Sequence, residues 1–234
     1  KFYGKKSRNI IKNFLFDDHT SVREVARYIL KDTSTLYAEM YKDALDKNMH
    51  VFGAIQGLGE VGVKGDSKYI EKYLCSSKTK VVRVAIKSIF KLNGDIETLI
   101  QYLKDERVGV SKDVRNGVIN FNRSIDPLEI YNIYKESNLL HVKKNSTLML
   151  FNLTKWTSIS YILEIMCNEK GELARIAKQA FYKWNLNFNN NFSVPSNNEL
   201  KSILTKLDEF KEGIKQEDYN WLKFVLKPYI SESR

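Results

Sequence analysis

Apolar residues recur at helical spacing along most of the chain, set against stripes of lysine and arginine. Over residues 79–92, Val82, Ala85, Ile86, Ile89 and Phe90 share one helical face, leaving Lys80, Arg83, Lys87 and Lys91 on another stripe. Val22, Val25, Ala26, Ile29 and Leu30 repeat the construction, and both sets are expected to be buried. Breakers and caps divide the chain into about fourteen helices, pairing as hairpins over 5–32, 33–64, 66–93, 95–123, 126–154, 156–186 and 197–230. Three boundaries are well marked. Asn93-Gly94-Asp95 joins a helix-ending glycine to an Asp N-cap, Asp126-Pro127-Leu128-Glu129 sets an N-cap before a proline at the first helical position, and Ser196-Asn197-Asn198-Glu199 is a capping box. The fold class is therefore all-α.

A unit recurs about every 30 residues: an apolar residue followed by a base, opening the second helix of a hairpin. It appears as Val22-Arg23, Val82-Arg83, Val114-Arg115, Val142-Lys143 and Ala174-Arg175, with the bases 60, 32, 28 and 32 positions apart. The first interval reads as two units, with a degenerate copy near His50-Val51. A period in this range predicts a solenoid, because one unit cannot bury its apolar face alone and stacks on its neighbours. Small residues two positions after the base (Ala85, Gly117, Ala177) would allow adjacent helices to approach closely.

The Val-Arg openings, the polar or acidic residues upstream of them (Asp17 or Asp18, Ser77, Asn138, Asn168) and the helix ending Ala54-Ile55-Gln56-Gly57-Leu58-Gly59 resemble the HEAT-repeat family, particularly its short, lyase-associated variety. The resemblance covers roughly residues 10–186. It implies a right-handed α-α superhelix of about seven hairpins with the second helices lining the concave side. Residues 1–186 would then be the repeat array, and 187–234 a capping hairpin after the Asn-rich loop from Asn185 to Asn198. Several units depart from the pattern: Lys143 replaces Arg, Asp105 lies ten residues before Arg115, and the second hairpin lacks the basic opener. In this family the opening base bridges adjacent repeats, so the resemblance gives Arg23, Arg83, Arg115, Lys143 and Arg175 the role of a structural ladder.

Other bases lie one and two turns further on: Arg27 and Lys31, Lys87 and Lys91, then Lys178 and Lys183. Few acidic residues stand four positions away to neutralise them, so stacked units would carry a basic stripe along the groove, set against the plainer reading of ordinary solvated lysine. With 38 basic and 28 acidic residues the net charge is +10, which favours an acidic protein surface, nucleic acid or anionic lipid as partner. Lys1, Lys5, Lys6, Arg8 and Lys12 form a further cluster. They read either as an exposed first helix or as a juxtamembrane segment below an anchor upstream of Lys1. A start at Lys1 rather than Met suggests a fragment.

Cys75 and Cys167 sit in apolar helical patterns and are read as buried thiols of a reducing compartment. Sequons at Asn122, Asn145, Asn152 and Asn191 carry little weight for secretion in a chain rich in Asn and Lys, and Asn145 and Asn152 fall within an expected helix. No apolar run approaches 18 residues and no signal peptide is visible. The expected location is cytoplasmic, including the cytoplasmic part of a membrane-anchored protein.

Signatures of chemistry are absent. Gly57-Leu58-Gly59-Glu60-Val61-Gly62 satisfies the dinucleotide pattern literally, but these glycines close a helix where a phosphate loop must open one. His19, His50 and His141 are far apart and no metal-ligand spacing exists, so neither metal nor cofactor is expected. HEAT-like alkylpurine DNA glycosylases place tryptophans and an aspartate on the concave face; Asp113, Trp156 and Trp184 are the only candidates here, no local motif of that family surrounds them, and both tryptophans read as core. The expectation is a non-enzymatic scaffold that docks an acidic protein partner on a basic concave face. The alternative is nucleic-acid binding, including a divergent glycosylase.

Overall fold

The computed structural model describes residues 5–190 and 192–231, with side chains over 7–190 and 192–230. Among them are fourteen α-helices and no strand: α1 (Lys5–Asn13), α2 (Thr20–Leu30), α3 (Ser34–Asp46), α4 (Val51–Val61), α5 (Ser67–Glu71), α6 (Thr79–Lys91), α7 (Ile96–Ile100), α8 (Val108–Asn120), α9 (Pro127–Glu136), α10 (Leu140–Leu150), α11 (Lys155–Asn168), α12 (Gly171–Leu186), α13 (Asn197–Glu209) and α14 (Gln216–Ser231). Two helices fall in each of the seven expected intervals. None is long and apolar enough to cross a membrane.

Local chemistry sets the boundaries. The Asp95 carboxylate accepts from the Glu97 and Thr98 amides at 3.2 and 3.0 Å, Asp126 accepts from the Leu128 amide at 2.9 Å, and Ser196 and Glu199 cap each other's backbone reciprocally. One detail differs from expectation. The left-handed residue that ends α6 is Asn93 (φ 56°), not Gly94; glycine is needed at 94 because a Cβ there would lie 2.5 Å from Ile89 Cγ2.

The helices form two compact units, residues 1–125 and 126–234. In the first, α4 packs on α3 and on α6, and α6 packs on α8. Glycine permits these approaches: a Cβ on Gly59 would lie 2.6 Å from Ser88 Cβ, and Cβ atoms on Gly57 and Gly117 would run into the rings of Tyr41 and Phe90. Gly57 and Gly59 thus lie inside α4 and Gly62 caps its end, so the glycine triplet closes a helix. All five expected core residues of α6 are buried. In α2 only Ala26 and Leu30 are, while Val25 and Ile29 are exposed, because an apolar face is buried only where another element covers it.

The second unit is built on aromatics. Trp156, Ile159, Leu163, Trp184, Ile203 and Leu222 belong to one buried cluster drawn from α11 to α14. Trp156 and Trp184 meet edge to face with centroids 6.0 Å apart, and their indole N–H groups donate to the carbonyls of Ser193 and Lys155 at 2.8 and 2.7 Å. Both tryptophans fill core, as expected, and α13 packs directly on α11.

The cysteine reading is corrected in part. Cys75 is exposed in the turn after α5, which ends at Glu71, so the apolar pattern around it does not continue as helix; Cys167 is partly buried, and both thiols are free. Asn145 is buried in α10, whereas Asn152 lies in the turn that follows. The sequon at Asn191, Lys1 and the side chains of Lys5 and Lys6 lie outside the described residues.

Candidate basic interface

In the first unit two pairs of bases, Arg23 with Arg27 and Arg83 with Lys87, are each engaged by a carboxylate about one unit further along the chain. Arg23 is fully buried: it pairs with Glu60 and donates to Gln56 Oε1 at 2.7 Å, to Thr20 Oγ1 at 3.0 Å and to the Asp17 carbonyl. One turn on, Arg27 reaches the same Glu60 at 2.9 Å and the Tyr41 hydroxyl at 3.2 Å. Burial alone would raise the Glu60 pKa, but the two guanidiniums outweigh it and hold the carboxyl below its usual range. Burial likewise opposes the Arg27 charge, and Tyr41 with Glu60 more than offsets it.

The arrangement recurs in α6. Arg83 binds the buried Asp113 of α8 through Nε at 2.7 Å, and Lys87 stands 3.4 Å from the other oxygen. A base pair four residues apart thus clamps one acid of the next second helix. Lys31 and Lys91 are exposed, at or just beyond the ends of α2 and α6, and neither side chain has a hydrogen bond or ion pair among the described residues. Arg115 is half-buried and donates to Asn116 Oδ1 at 2.7 Å; burial lowers its pKa.

In the second unit Lys143 pairs with Glu169 at 3.1 Å, which also accepts from the Tyr134 hydroxyl at 2.6 Å. Burial opposes the Glu169 charge, yet these two donors keep its pKa lowered. Glu172 is taken by Lys144 at 2.5 Å.

The neighbouring acids being engaged, α12 is left with uncompensated charge. Lys170, Arg175, Lys178 and Lys183 are exposed and their side chains make no hydrogen bond or ion pair among the described residues; Arg175 has only the electrostatic reach of Glu172. Arg175 and Lys178 line an open depression of about 680 Å³ with Lys170 and Tyr182, the last 64 % exposed. Lys183 lines an adjoining depression of about 500 Å³ whose walls include Phe151, Leu153, Ile162 and Ile176, and Gln179 belongs to both. Cationic, aromatic and aliphatic groups therefore run together along one helix. Two of the six stripe residues, Lys178 and Lys183, belong to this surface together with the opener Arg175; Arg27, largely buried, and Lys87, exposed, are taken up in ion pairs with Glu60 and Asp113.

Sequence reasoning missed Glu60 and Asp113 as acceptors, and Lys170, Gln179 and Tyr182 as neighbours of the α12 bases. A signal for the first two was present, since they stand 37 and 30 residues after Arg23 and Arg83, about one repeat later. The second unit also holds a buried polar cluster in which Glu164 accepts from the Tyr131 hydroxyl and pairs with Lys206 at 3.1 Å. Burial first, then Glu164, drives the Tyr131 pKa upward and keeps its hydroxyl a donor. Among the described residues no group of histidine, cysteine and acidic side chains could hold a metal ion. No family model and no curated protein matches this chain.

Proposed function

We propose that the protein is a non-enzymatic HEAT-like α-solenoid scaffold that docks an acidic protein segment along α12. The succession of α4 on α6 and α6 on α8, with ion pairs from one second helix to the next, supports the repeat reading. The observation that carries the docking site is the set of four bases, Lys170, Arg175, Lys178 and Lys183, that are unpaired among the described residues and stand beside two depressions, one lined mainly by polar residues, Glu169 and Tyr182 among them, the other with aliphatic walls. Charge would steer an acidic segment and fix its register, while its apolar side chains would anchor in the aliphatic depression. A protein partner is favoured over nucleic acid because aliphatic walls offer nothing to a phosphate backbone.

Titration of the chain with a fluorescein-labelled peptide of glutamates interrupted by leucines, and with a single-stranded oligonucleotide, tests this at low and near-physiological salt. Peptide affinity should survive the higher salt and oligonucleotide affinity should collapse with it, as counterion release requires. Oligonucleotide binding that outlasts peptide binding would overturn the reading in favour of nucleic acid.

A further inference from the structure

Within the second unit, α9, α11 and α13 line a pocket of about 370 Å³ that shares no lining residue with the depressions along α12. One wall is aromatic: Tyr131 and Tyr161 are half-buried, with ring centroids 5.3 Å apart. The charges that line it are already answered. Glu164 accepts from the Tyr131 hydroxyl and pairs with Lys206 at 3.1 Å, and Lys206 also meets Glu209 at 3.1 Å. Glu199 accepts from the Ser196 amide at 2.9 Å and from Thr157 Oγ1 at 2.7 Å, in the first turn of α13, where the positive end of the helix balances its charge. The neutral groups are not answered. Ser160 is buried, and its oxygen accepts from Ser202 at 3.2 Å while its own proton has no acceptor among the described residues. The Tyr161 hydroxyl and the Asn198 amide have no hydrogen-bond partner among the described residues either. Burial, then Asp126 and Glu164, raises the Tyr161 pKa, so its hydroxyl stays a neutral donor.

We propose that this pocket binds a neutral polyhydroxylated ring, a monosaccharide by chemical class, in a role separate from docking along α12. The hydroxyls of such a ring both donate and accept. They suit the unspent donors of Ser160, Tyr161 and Asn198, and the lone pairs that Glu164 and Glu199 keep beyond their present partners. A buried hydroxyl proton without an acceptor is costly, and a ligand oxygen at Ser160 would relieve that cost. The C–H face of the ring would lie against the electron-rich faces of Tyr131 and Tyr161. Charge argues against ionic ligands, since a cation would compete with Lys206 for Glu164 and an anion would face two carboxylates. The volume is at the small end of the range that takes small molecules, which favours one ring over a chain.

Isothermal titration of the full chain with the methyl glycosides of glucose, galactose and mannose, and with putrescine and citrate as charged controls, tests the proposal. At least one glycoside should bind with a Kd of about 1 mM or tighter, and at least about tenfold more tightly than either control. Tyr161→Ala, on a chain shown to be folded, should weaken that glycoside by at least about tenfold. Tyr161→Phe keeps the ring and removes the hydroxyl, and should weaken it by about threefold or more at an unchanged melting temperature. The Arg175→Glu/Lys178→Glu chain should bind it as the wild type does, so this site and the α12 reading fail separately. No glycoside binding up to about 10 mM, tighter binding of putrescine or citrate, affinity unchanged in both Tyr161 variants, or affinity lost in the α12 variant would each overturn the proposal.

Discussion

Arg23 and Arg175 occupy the same position in the recurring unit and stand in opposite surroundings. Arg23 is enclosed by Glu60, Gln56, Thr20 and the Asp17 carbonyl, in a unit whose second helices α4, α6 and α8 pack in succession. Arg175 is exposed beside Lys178 on α12, in a unit whose core is an aromatic cluster and whose acids Glu169 and Glu172 are held by Lys143 and Lys144. The identity of the opening residue therefore does not decide its role. What differs is whether a carboxylate reaches the base: Glu60 reaches Arg23, and no carboxylate is within ion-pair distance of Arg175 among the described residues.

Breaking each unit at its centre should give the largest effects. Glu60→Ala leaves the buried Arg23 charge without its counter-ion and should cost about 3–5 kcal/mol in urea denaturation. Trp156→Ala opens a cavity among Trp184, Ile159 and Leu163 and should cost a similar ~3–5 kcal/mol, read on the unfolding of the second unit. The comparison sharpens at the openers. Arg83→Ala strips one donor from the buried Asp113 while Lys87 remains, and should cost about 1–3 kcal/mol, whereas Arg175→Ala should stay within ~0.5 kcal/mol.

Acid should expose the pairing of Glu60 with Arg23 and Arg27 as well. The Glu60 pKa is lowered in the fold, so its contribution is present above the unfolded value of about 4.3 and lost as pH falls through the folded value. Stability measured from neutral pH downward should therefore decline below about pH 5, and Glu60→Gln should flatten that limb. An unchanged limb would show that Glu60 is not held by Arg23 and Arg27.

Features written in short stretches of chain were legible in the sequence. Asp95, Asp126-Pro127 and Ser196 with Glu199 act on amides two or three residues away, and they locate helix starts correctly. The α6 core was legible because neighbours cover both its sides. The same pattern misled at α2, since periodicity reports which residues share a face and cannot report what lies against it. Arg27 and Lys87 looked uncompensated because acids were sought along their own helices, while Glu60 and Asp113 arrive from the next second helix. The surface along α12 needed the fold too: Arg175 and Lys178 gain Lys170 and Tyr182 as neighbours around one depression.

The most direct test is the affinity of the leucine-containing acidic peptide for Arg175→Glu and for Arg83→Glu, measured side by side at near-physiological salt on chains shown to be folded. An external role for the first base and an internal role for the second predict a loss of at least about tenfold in Arg175→Glu and a change within about twofold in Arg83→Glu. Equal losses in both, or a loss confined to Arg83→Glu, would contradict the account.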